Sequence, residues 1–205
     1  MRPVIVVVSF GVSAPEAREK SLAPIVREIE AAFPECSVAE AYTSAFIRRR
    51  LQKAGIDMPS LAERLARLLQ EGVREVYIQP TLLTPGEEYE NKILKEAQAF
   101  SSRFDVLEVG EPVFFREGGA EGDDVARGLT AIFPDIAPQA DEALVLLGHG
   151  SPHRHNPVYV RLQRCADEKG LPVHIGVLEE ADVPNFAMVQ KRLERSGKRR
   201  VLLAP

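Results

Sequence analysis

The segment VIVVV, residues 4–8, decides the fold class. A continuous run of mostly β-branched residues is typical of a strand that is buried on both faces of a parallel sheet. This run leads directly into the small-residue loop Ser9-Phe10-Gly11. A second apolar run, LVLL at residues 144–147, leads into Gly148-His149-Gly150 in the same way. The two segments therefore predict two βα units of similar design.

Strand-like and helix-like segments alternate along the rest of the chain. The predicted strands lie at residues 4–8, 37–41, 76–79, 105–109, 143–147, 173–178 and 200–204. This alternation predicts an α/β protein built from parallel sheets that are flanked by helices. Because the turn-rich residues 118–122 separate two halves, we expect an N-terminal α/β lobe over residues 1–117 and a similar C-terminal lobe over residues 118–205. We also expect a cleft between the lobes, lined by loops at the carboxyl ends of the strands.

The two halves share a spaced pattern of a helix end, a glycine turn and a strand that ends in proline. It consists of Leu68, Gly72, Val76 and Pro80 in the first half, and of Leu193, Gly197, Val201 and Pro205 in the second. An internal duplication explains the pattern, although any two βα units share such features. Since the chain continues past Pro80 into TLLTPGEEYENK but stops at Pro205, we expect the C-terminal lobe to lack its last segment.

Bulk composition limits the function classes. The 205 residues include 26 basic and 30 acidic side chains, a net charge of −4 and 45% hydrophobic residues. These values are typical of a soluble globular protein and argue against nucleic acid as a partner. The apolar N-terminal run is too short to cross a membrane. Because the two cysteines form no Cys-x-x-Cys motif, we expect reduced thiols and a cytoplasmic protein without a membrane partner.

Three of the four histidines lie close together in the sequence: His149, His153 and His155. Gly148 and Gly150 flank His149, so the backbone can turn sharply there and expose the imidazole at the strand end. Neutral imidazole binds cobalt, nickel, iron(II) and zinc, and it titrates near neutral pH. His149 is therefore a candidate metal ligand and base, against the alternative of a hydrogen-bonded loop histidine. His174 lies inside a predicted strand, which indicates a structural role.

Carboxylates follow two of the predicted strands. Glu87 and Glu88 lie at the start of a predicted helix that follows a Pro-Gly turn. Acidic residues there either interact favourably with the helix dipole and have no other role, or act as a base or as a guide for a cation. Glu179 and Glu180 follow the strand HIGVL. A carboxylate beside an imidazole makes a mixed nitrogen–oxygen site for a borderline divalent ion, and the alternative is surface charge. The motifs of serine hydrolases, P-loop NTPases, dinucleotide enzymes and HExxH zinc proteases are absent.

The chain resembles the anaerobic sirohydrochlorin cobalt chelatases of cobalamin biosynthesis, which are small ATP-independent class II chelatases. Six segments carry the resemblance in the same order: VVVSFGVS, EAYTSAFIRRRL, VYIQPTLLTPGEEYE, GHGSPHRHNPVYVRL, IGVLEE and VLLAP. The most specific part is GHGS followed by His153, Asn156 and Tyr159. The resemblance implies two similar lobes with a tetrapyrrole cleft. It also implies insertion of Co²⁺, as the substrate metal, into sirohydrochlorin, with no organic cofactor.

The resemblance further implies roles for individual residues. His149 matches the first of two metal-binding histidines and is also catalytic, while Glu179 matches the metal-binding glutamate, with Glu180 as the alternative. Glu87 or Glu88 would act in catalysis at the cleft. The expected substrate-binding residues are Ser9, Phe10, Gly11 and His153. In relatives, the second metal-binding histidine follows the strand matching VLLAP, in a segment that this sequence does not contain.

Some alternatives stay open at this stage. Leu82 and Ala45 stand where relatives often carry a histidine and an arginine, which leaves substrate handling and metal preference unsettled. An iron or nickel chelatase acting on a related tetrapyrrole has the same sequence features. A tetrapyrrole-binding protein without catalysis is favoured by the missing second histidine. Assembly into a homo-oligomer also stays open.

Overall fold

The structure is a computed structural model that describes residues 2–118, 123–150, 157–179 and 182–204. The chain divides into two compact units, Met1–Pro112 and Val113–Pro205. The predicted division after residue 117 lies in the same segment, between the last strand of the first unit and the first helix of the second. Each unit has its own sheet and its own hydrophobic core.

The first unit contains a four-stranded parallel sheet. Its strands are β1 (Val4–Ser9), β2 (Ser37–Tyr42), β3 (Glu75–Pro80) and β4 (Val106–Val109), and their order in the sheet is β2-β1-β3-β4. β1 lies inside the sheet, where Val4 pairs with Ser37 on one side and with Val76 on the other. All six residues of β1 are buried, as the β-branched run predicts.

Helices pack against this sheet: α1 (Pro15–Ala32), α2 (Ala45–Lys53) and α3 (Leu61–Gln70). Proline at the first position of α1 fits because that residue needs no backbone donor. Ser60 and Glu63 form a capping box that starts α3. The buried face of α3 repeats at helical spacing and joins the core of the sheet through Leu61, Leu65 and Leu68.

A π-helix at Glu88–Leu94 follows β3 and continues into α4 (Lys95–Gln98) and a 3₁₀ turn at Ser101–Arg103. The sequence predicts helical structure over residues 87–100, and the chain is helical over Glu88–Leu94 and Lys95–Gln98, with the wider π form in the first part. The buried residues Tyr89, Ile93 and Ala97 have a spacing that fits either helix type. The pattern therefore could not reveal the wider turn, which is a feature frequently found at functional sites.

The second unit contains a three-stranded parallel sheet. Its strands are β5 (Glu142–Gly148), β6 (Val173–Val177) and β7 (Arg200–Ala204), in the order β6-β5-β7. Its helices are α5 (Asp124–Ile136), α6 (Pro157–Glu168) and α7 (Phe186–Ser196). The side chains of Asp123 and Asn185 accept backbone hydrogen bonds and cap α5 and α7. Within the described ranges, no helix combines the length and the apolar character needed to cross a bilayer.

The predicted fold class is confirmed, because the chain is an α/β protein with two parallel sheets flanked by helices. The two copies of the repeated pattern have unequal surroundings. Val76 in β3 is 0% exposed, whereas Val201 in β7 is 49% exposed. Within the described ranges, β3 lies between β1 and β4, whereas β7 pairs with β5 alone.

Candidate metal site

His149 and Glu179 lie side by side at the carboxyl ends of two neighbouring strands. His149 directly follows β5, and Glu179 comes just after the end of β6. Two backbone hydrogen bonds extend the strand pairing to these residues. The Leu178 N–H donates to the Gly148 carbonyl over 3.1 Å, and the Glu179 N–H donates to the His149 carbonyl over 3.2 Å. The sheet therefore holds the backbones of both residues next to each other.

The two side chains are close enough to bind one ion. The Nε2 atom of His149 lies 3.6 Å from Oε1 of Glu179, and the side chains are 81% and 51% exposed. Two donor atoms bound to one ion at about 2.1 Å lie about 3.0–3.4 Å apart at octahedral or tetrahedral angles. A small rotation of either side chain thus allows both atoms to bind the same divalent cation. One imidazole and one carboxylate suit a borderline ion such as Co²⁺.

Other predicted ligands do not add to this pair in the part of the chain that the structure describes. There, no group of three or more histidine, cysteine or acidic side chains could hold a metal ion. The predicted residues His153 and Glu180 lie outside the described residues, as does His155. Within the described ranges, the structure thus brings together His149 and Glu179 alone, and an ion bound to them keeps positions open for other donors.

The acidic segment of the first unit starts the π-helix. Glu87 directly precedes the helix and is exposed, while Glu88 is its first residue and is half-buried. The Oε2 atom of Glu88 is buried and has no hydrogen-bond partner among the described residues. The buried Tyr89 donates a hydrogen bond to the Gly110 carbonyl over 3.1 Å and anchors the segment. Of the two carboxylates, Glu88 is therefore the one with a buried oxygen that lacks a hydrogen-bond donor among the described residues.

The loop after β1 presents an aromatic side chain on a fixed backbone. Ser9 is buried at the end of the strand, and Phe10 is exposed. The Phe10 carbonyl accepts a hydrogen bond from the Ser44 N–H over 3.1 Å. Gly11 has a φ of +108°, and a Cβ atom there would lie 2.5 Å from Cδ2 of Tyr42, so only glycine fits. The loop can thus offer the Phe10 ring to a planar ligand.

The sequence indicates no contact of Tyr159 or Asp182 with this site, yet both side chains lie against the glycines that flank His149. The available signal was the pair Gly148 and Gly150, since glycines often mark places where another group approaches the backbone closely. The sequence could not identify the approaching groups, because Asp182 belongs to an irregular loop and Tyr159 to a helix.

These features define a class: a parallel α/β protein that presents an accessible imidazole–carboxylate pair at its strand ends, where such folds bind ligands. The family model described as cobalt chelatase (CbiK) matches residues 3–205, and the chain belongs to this family. The protein is therefore a metal chelatase, and the resemblance drawn from the sequence is confirmed.

Curated relatives agree with this assignment, and a solved structure shares the fold. The chain is 29% identical over 206 residues to the sirohydrochlorin cobaltochelatase of Salmonella typhimurium, covering 100% of this chain and 75% of that protein. It is 28% identical over 202 residues to the sirohydrochlorin cobaltochelatase CbiKC of Nitratidesulfovibrio vulgaris, covering 98% and 70%. SirB from Bacillus subtilis with Fe³⁺ has the same fold, with a TM-score of 0.68 at 18% identity, covering 100% of this chain and 77% of SirB.

Proposed function

We propose that this chain inserts Co²⁺ into sirohydrochlorin during cobalamin biosynthesis, without ATP and without an organic cofactor. The observation that carries the proposal is the 3.6 Å separation of His149 Nε2 and Glu179 Oε1 in a member of the cobalt chelatase family. Sirohydrochlorin is the substrate in the names of the relatives from Salmonella typhimurium and Nitratidesulfovibrio vulgaris, which supports this tetrapyrrole over others.

The reaction requires ligands that release the metal. One Co²⁺ enters the macrocycle, and both pyrrole N–H protons leave it. The ion must pass from protein atoms to the macrocycle nitrogens, so the protein must hold it only transiently. A histidine and a glutamate with accessible side chains meet this requirement better than a closed set of four thiolates. His149 and Glu179 thus deliver the ion.

The departing protons need bases. When Co²⁺ leaves His149, the Nε2 atom regains a free lone pair and can accept one pyrrole proton. Glu88 is the candidate acceptor for the other proton, since its Oε2 atom is buried without a hydrogen-bond partner among the described residues. Glu87 is exposed and serves as a guide for the cation.

The remaining assignments concern the substrate and the compartment. Ser9, Phe10 and Gly11 contact the tetrapyrrole, with the Phe10 ring against its plane, and His153 supports substrate binding. The thiols of Cys36 and Cys165 are free, which supports a cytoplasmic enzyme.

The test is metal insertion followed by the absorbance change of sirohydrochlorin on addition of Co²⁺. We expect His149→Ala to lower the insertion rate by roughly 100-fold or more, because it removes both a ligand and a base. Glu179→Gln should lower the rate as well, because the amide is a weaker ligand than the carboxylate. Glu168→Gln is the matched control, since Glu168 lies in the same unit at the exposed end of α6.

The result separates the proposal from its alternatives. An unchanged insertion rate in His149→Ala, with an unchanged melting temperature, would exclude the proposed role of this residue. Faster insertion of Fe²⁺ or Ni²⁺ than of Co²⁺ by the unaltered chain would change the metal but keep the reaction. Binding of sirohydrochlorin without insertion of any of these metals would indicate a carrier.

A further inference from the structure

The ring of Tyr159 lies directly against the backbone of Gly148. A Cβ atom at position 148 would approach Cε1 of the ring to 2.5 Å and the hydroxyl oxygen to 2.9 Å. No real side chain tolerates such distances, so the close approach depends on glycine. Tyr159 belongs to the first turn of α6, and the helix therefore fixes the ring beneath the end of β5.

Asp182 approaches the neighbouring glycine. At Gly150, where φ is +87°, a Cβ atom would lie 2.8 Å from Oδ2 of Asp182 and 3.0 Å from Cβ of Glu179. Asp182 is only 7% exposed. Its N–H donates to the Glu179 carbonyl over 3.1 Å, and its Oδ1 accepts from the Val183 N–H over 3.1 Å. Asp182 thus approaches Gly150 with its carboxylate and binds the Glu179 carbonyl through its backbone N–H.

Tyr159 has a hydrogen bond with the backbone of Gly150, the same glycine that Asp182 approaches. Burial raises the pKa of Tyr159, a hydrogen bond with the Gly150 backbone opposes the rise, and the charge of Asp182 adds to it. The phenol therefore stays neutral and hydrogen-bonded at neutral pH. Tyr159 and Asp182 lie on two different elements, α6 and the loop after β6, and both converge on the segment Gly148–Gly150.

We propose that Tyr159 and Asp182 are positioning residues that hold the Gly148–Gly150 backbone and thereby set the distance between His149 Nε2 and the Glu179 carboxylate. The physical reason is entropic. Both ligands are exposed, so binding an ion must immobilise them, and a fixed backbone lowers that cost. This inference rests on the proposed function, since it concerns the same pair of ligands.

The experiment measures equilibrium binding of Co²⁺ to the full chain without a tetrapyrrole, by the visible absorption of the bound ion. Tyr159→Phe keeps the ring but loses the hydroxyl, and Asp182→Ala loses the carboxylate. We expect each change to raise the Kd for Co²⁺ by roughly 10–100-fold, which is typical for groups that orient metal ligands. In the insertion assay, KM for Co²⁺ should rise more than kcat falls.

Controls distinguish positioning from general damage. Tyr77→Phe removes a phenol that bonds to Glu75 in the other unit, and Asp167→Asn alters an acid that pairs with Arg192. Both should leave the Kd for Co²⁺ unchanged. If Asp182→Ala does not fold, Asp182→Asn keeps the volume and is measured instead.

An unchanged Kd in both Tyr159→Phe and the Asp182 variant overturns this inference. If His149→Ala still abolishes binding in that case, the proposed function stands and only the positioning role fails. If His149→Ala also leaves the Kd unchanged, the proposed function itself fails.

Discussion

Two histidines of the second unit show how the surroundings of a residue decide its chemistry. His149 is largely exposed, and its Nε2 atom lies 3.6 Å from Oε1 of Glu179. His174 is buried in β6 and accepts a hydrogen bond from Nε of Arg192. Burial, and then the charge of Arg192, lower the pKa of His174, which stays neutral. The structural interpretation of His174 from the sequence agrees with this position inside a strand.

The glycine at position 150 allows a prediction at the scale of one residue. Gly150→Ala should lower the free energy of unfolding by about 1–2 kcal/mol, because alanine is strained at positive φ. It should also raise the Kd for Co²⁺, because the new Cβ atom would meet Asp182 and Glu179. Urea unfolding and a Co²⁺ titration measure the two effects.

Gly170→Ala is the matched control for this prediction. Gly170 has a φ of +63°, and nothing lies within 4 Å of a Cβ atom built there. The control shares the backbone strain but not the contact, so it should lose stability while the Kd stays unchanged. Equal Co²⁺ binding by the two variants would contradict our account of Gly150.

Part of the site could be predicted from single residues, and part could not. The carboxyl ends of parallel strands meet at one edge, so the sequence alone brought Glu179 to the same edge as His149. The 3.6 Å distance depends on backbone hydrogen bonds beyond the strand ends, which leave no pattern in the sequence. The contacts of Asp182 depend on an irregular loop, for which no periodicity exists.

In the second unit, a buried arginine links α5 to α6, and the sequence gives no indication of this link. Arg161 lies on α6, and its Nη2 atom donates to Oδ2 of Asp123 over 3.0 Å. Asp123 also caps α5 through the N–H groups of Val125 and Ala126. Burial by itself raises the pKa of Asp123. The hydrogen bonds from Arg161 and from the backbone N–H groups of α5 outweigh this effect, so the pKa is lowered.

This linkage predicts an acid-sensitive contribution to stability. Because the pKa of Asp123 is lower in the folded state, the contribution is present above the ordinary aspartate value of 3.8 and is lost as pH falls below it. Asp123→Asn should therefore flatten the decline of the unfolding free energy below about pH 4. Urea unfolding at several pH values measures the slope, and an unchanged slope would contradict the assignment.

We expect the same valine-to-alanine substitution to lower the free energy of unfolding by different amounts in the two copies of the repeated strand. Val76→Ala in β3 should lower the free energy of unfolding by about 2 kcal/mol, because it removes buried methyl groups. Val201→Ala in β7 should change it by less than about 0.5 kcal/mol, because that side chain is 49% exposed. Chemical denaturation checks both values. A larger cost at Val201 than at Val76 would show that β7 is packed differently.

Some helices and strands could be predicted from their sequence, and others could not. β1 was predictable because five consecutive apolar residues, all of them β-branched, favour a buried parallel strand. The π-helix at Glu88–Leu94 was not, because its apolar spacing fits an α-helix equally well. Its wider turn follows from backbone bonding and tertiary packing, and it occurs where Glu88 keeps an unpaired buried oxygen among the described residues.

At the scale of the whole molecule, the chain consists of two α/β units, Met1–Pro112 and Val113–Pro205, and each has its own parallel sheet. The alternation of strands and helices was sufficient to predict two parallel sheets, because hydrophobic periodicity is set by local geometry. The reaction could be inferred only from individual side chains, because many unrelated functions share this architecture.

The central claim is that His149 and Glu179 bind the Co²⁺ ion that the enzyme transfers. Anomalous diffraction at the cobalt absorption edge, from crystals of the full chain soaked in Co²⁺, tests it most directly. The account predicts a cobalt peak within about 2.0–2.3 Å of both His149 Nε2 and a Glu179 carboxylate oxygen. A fully occupied cobalt site elsewhere in the molecule, with both of these side chains unbound, would contradict it.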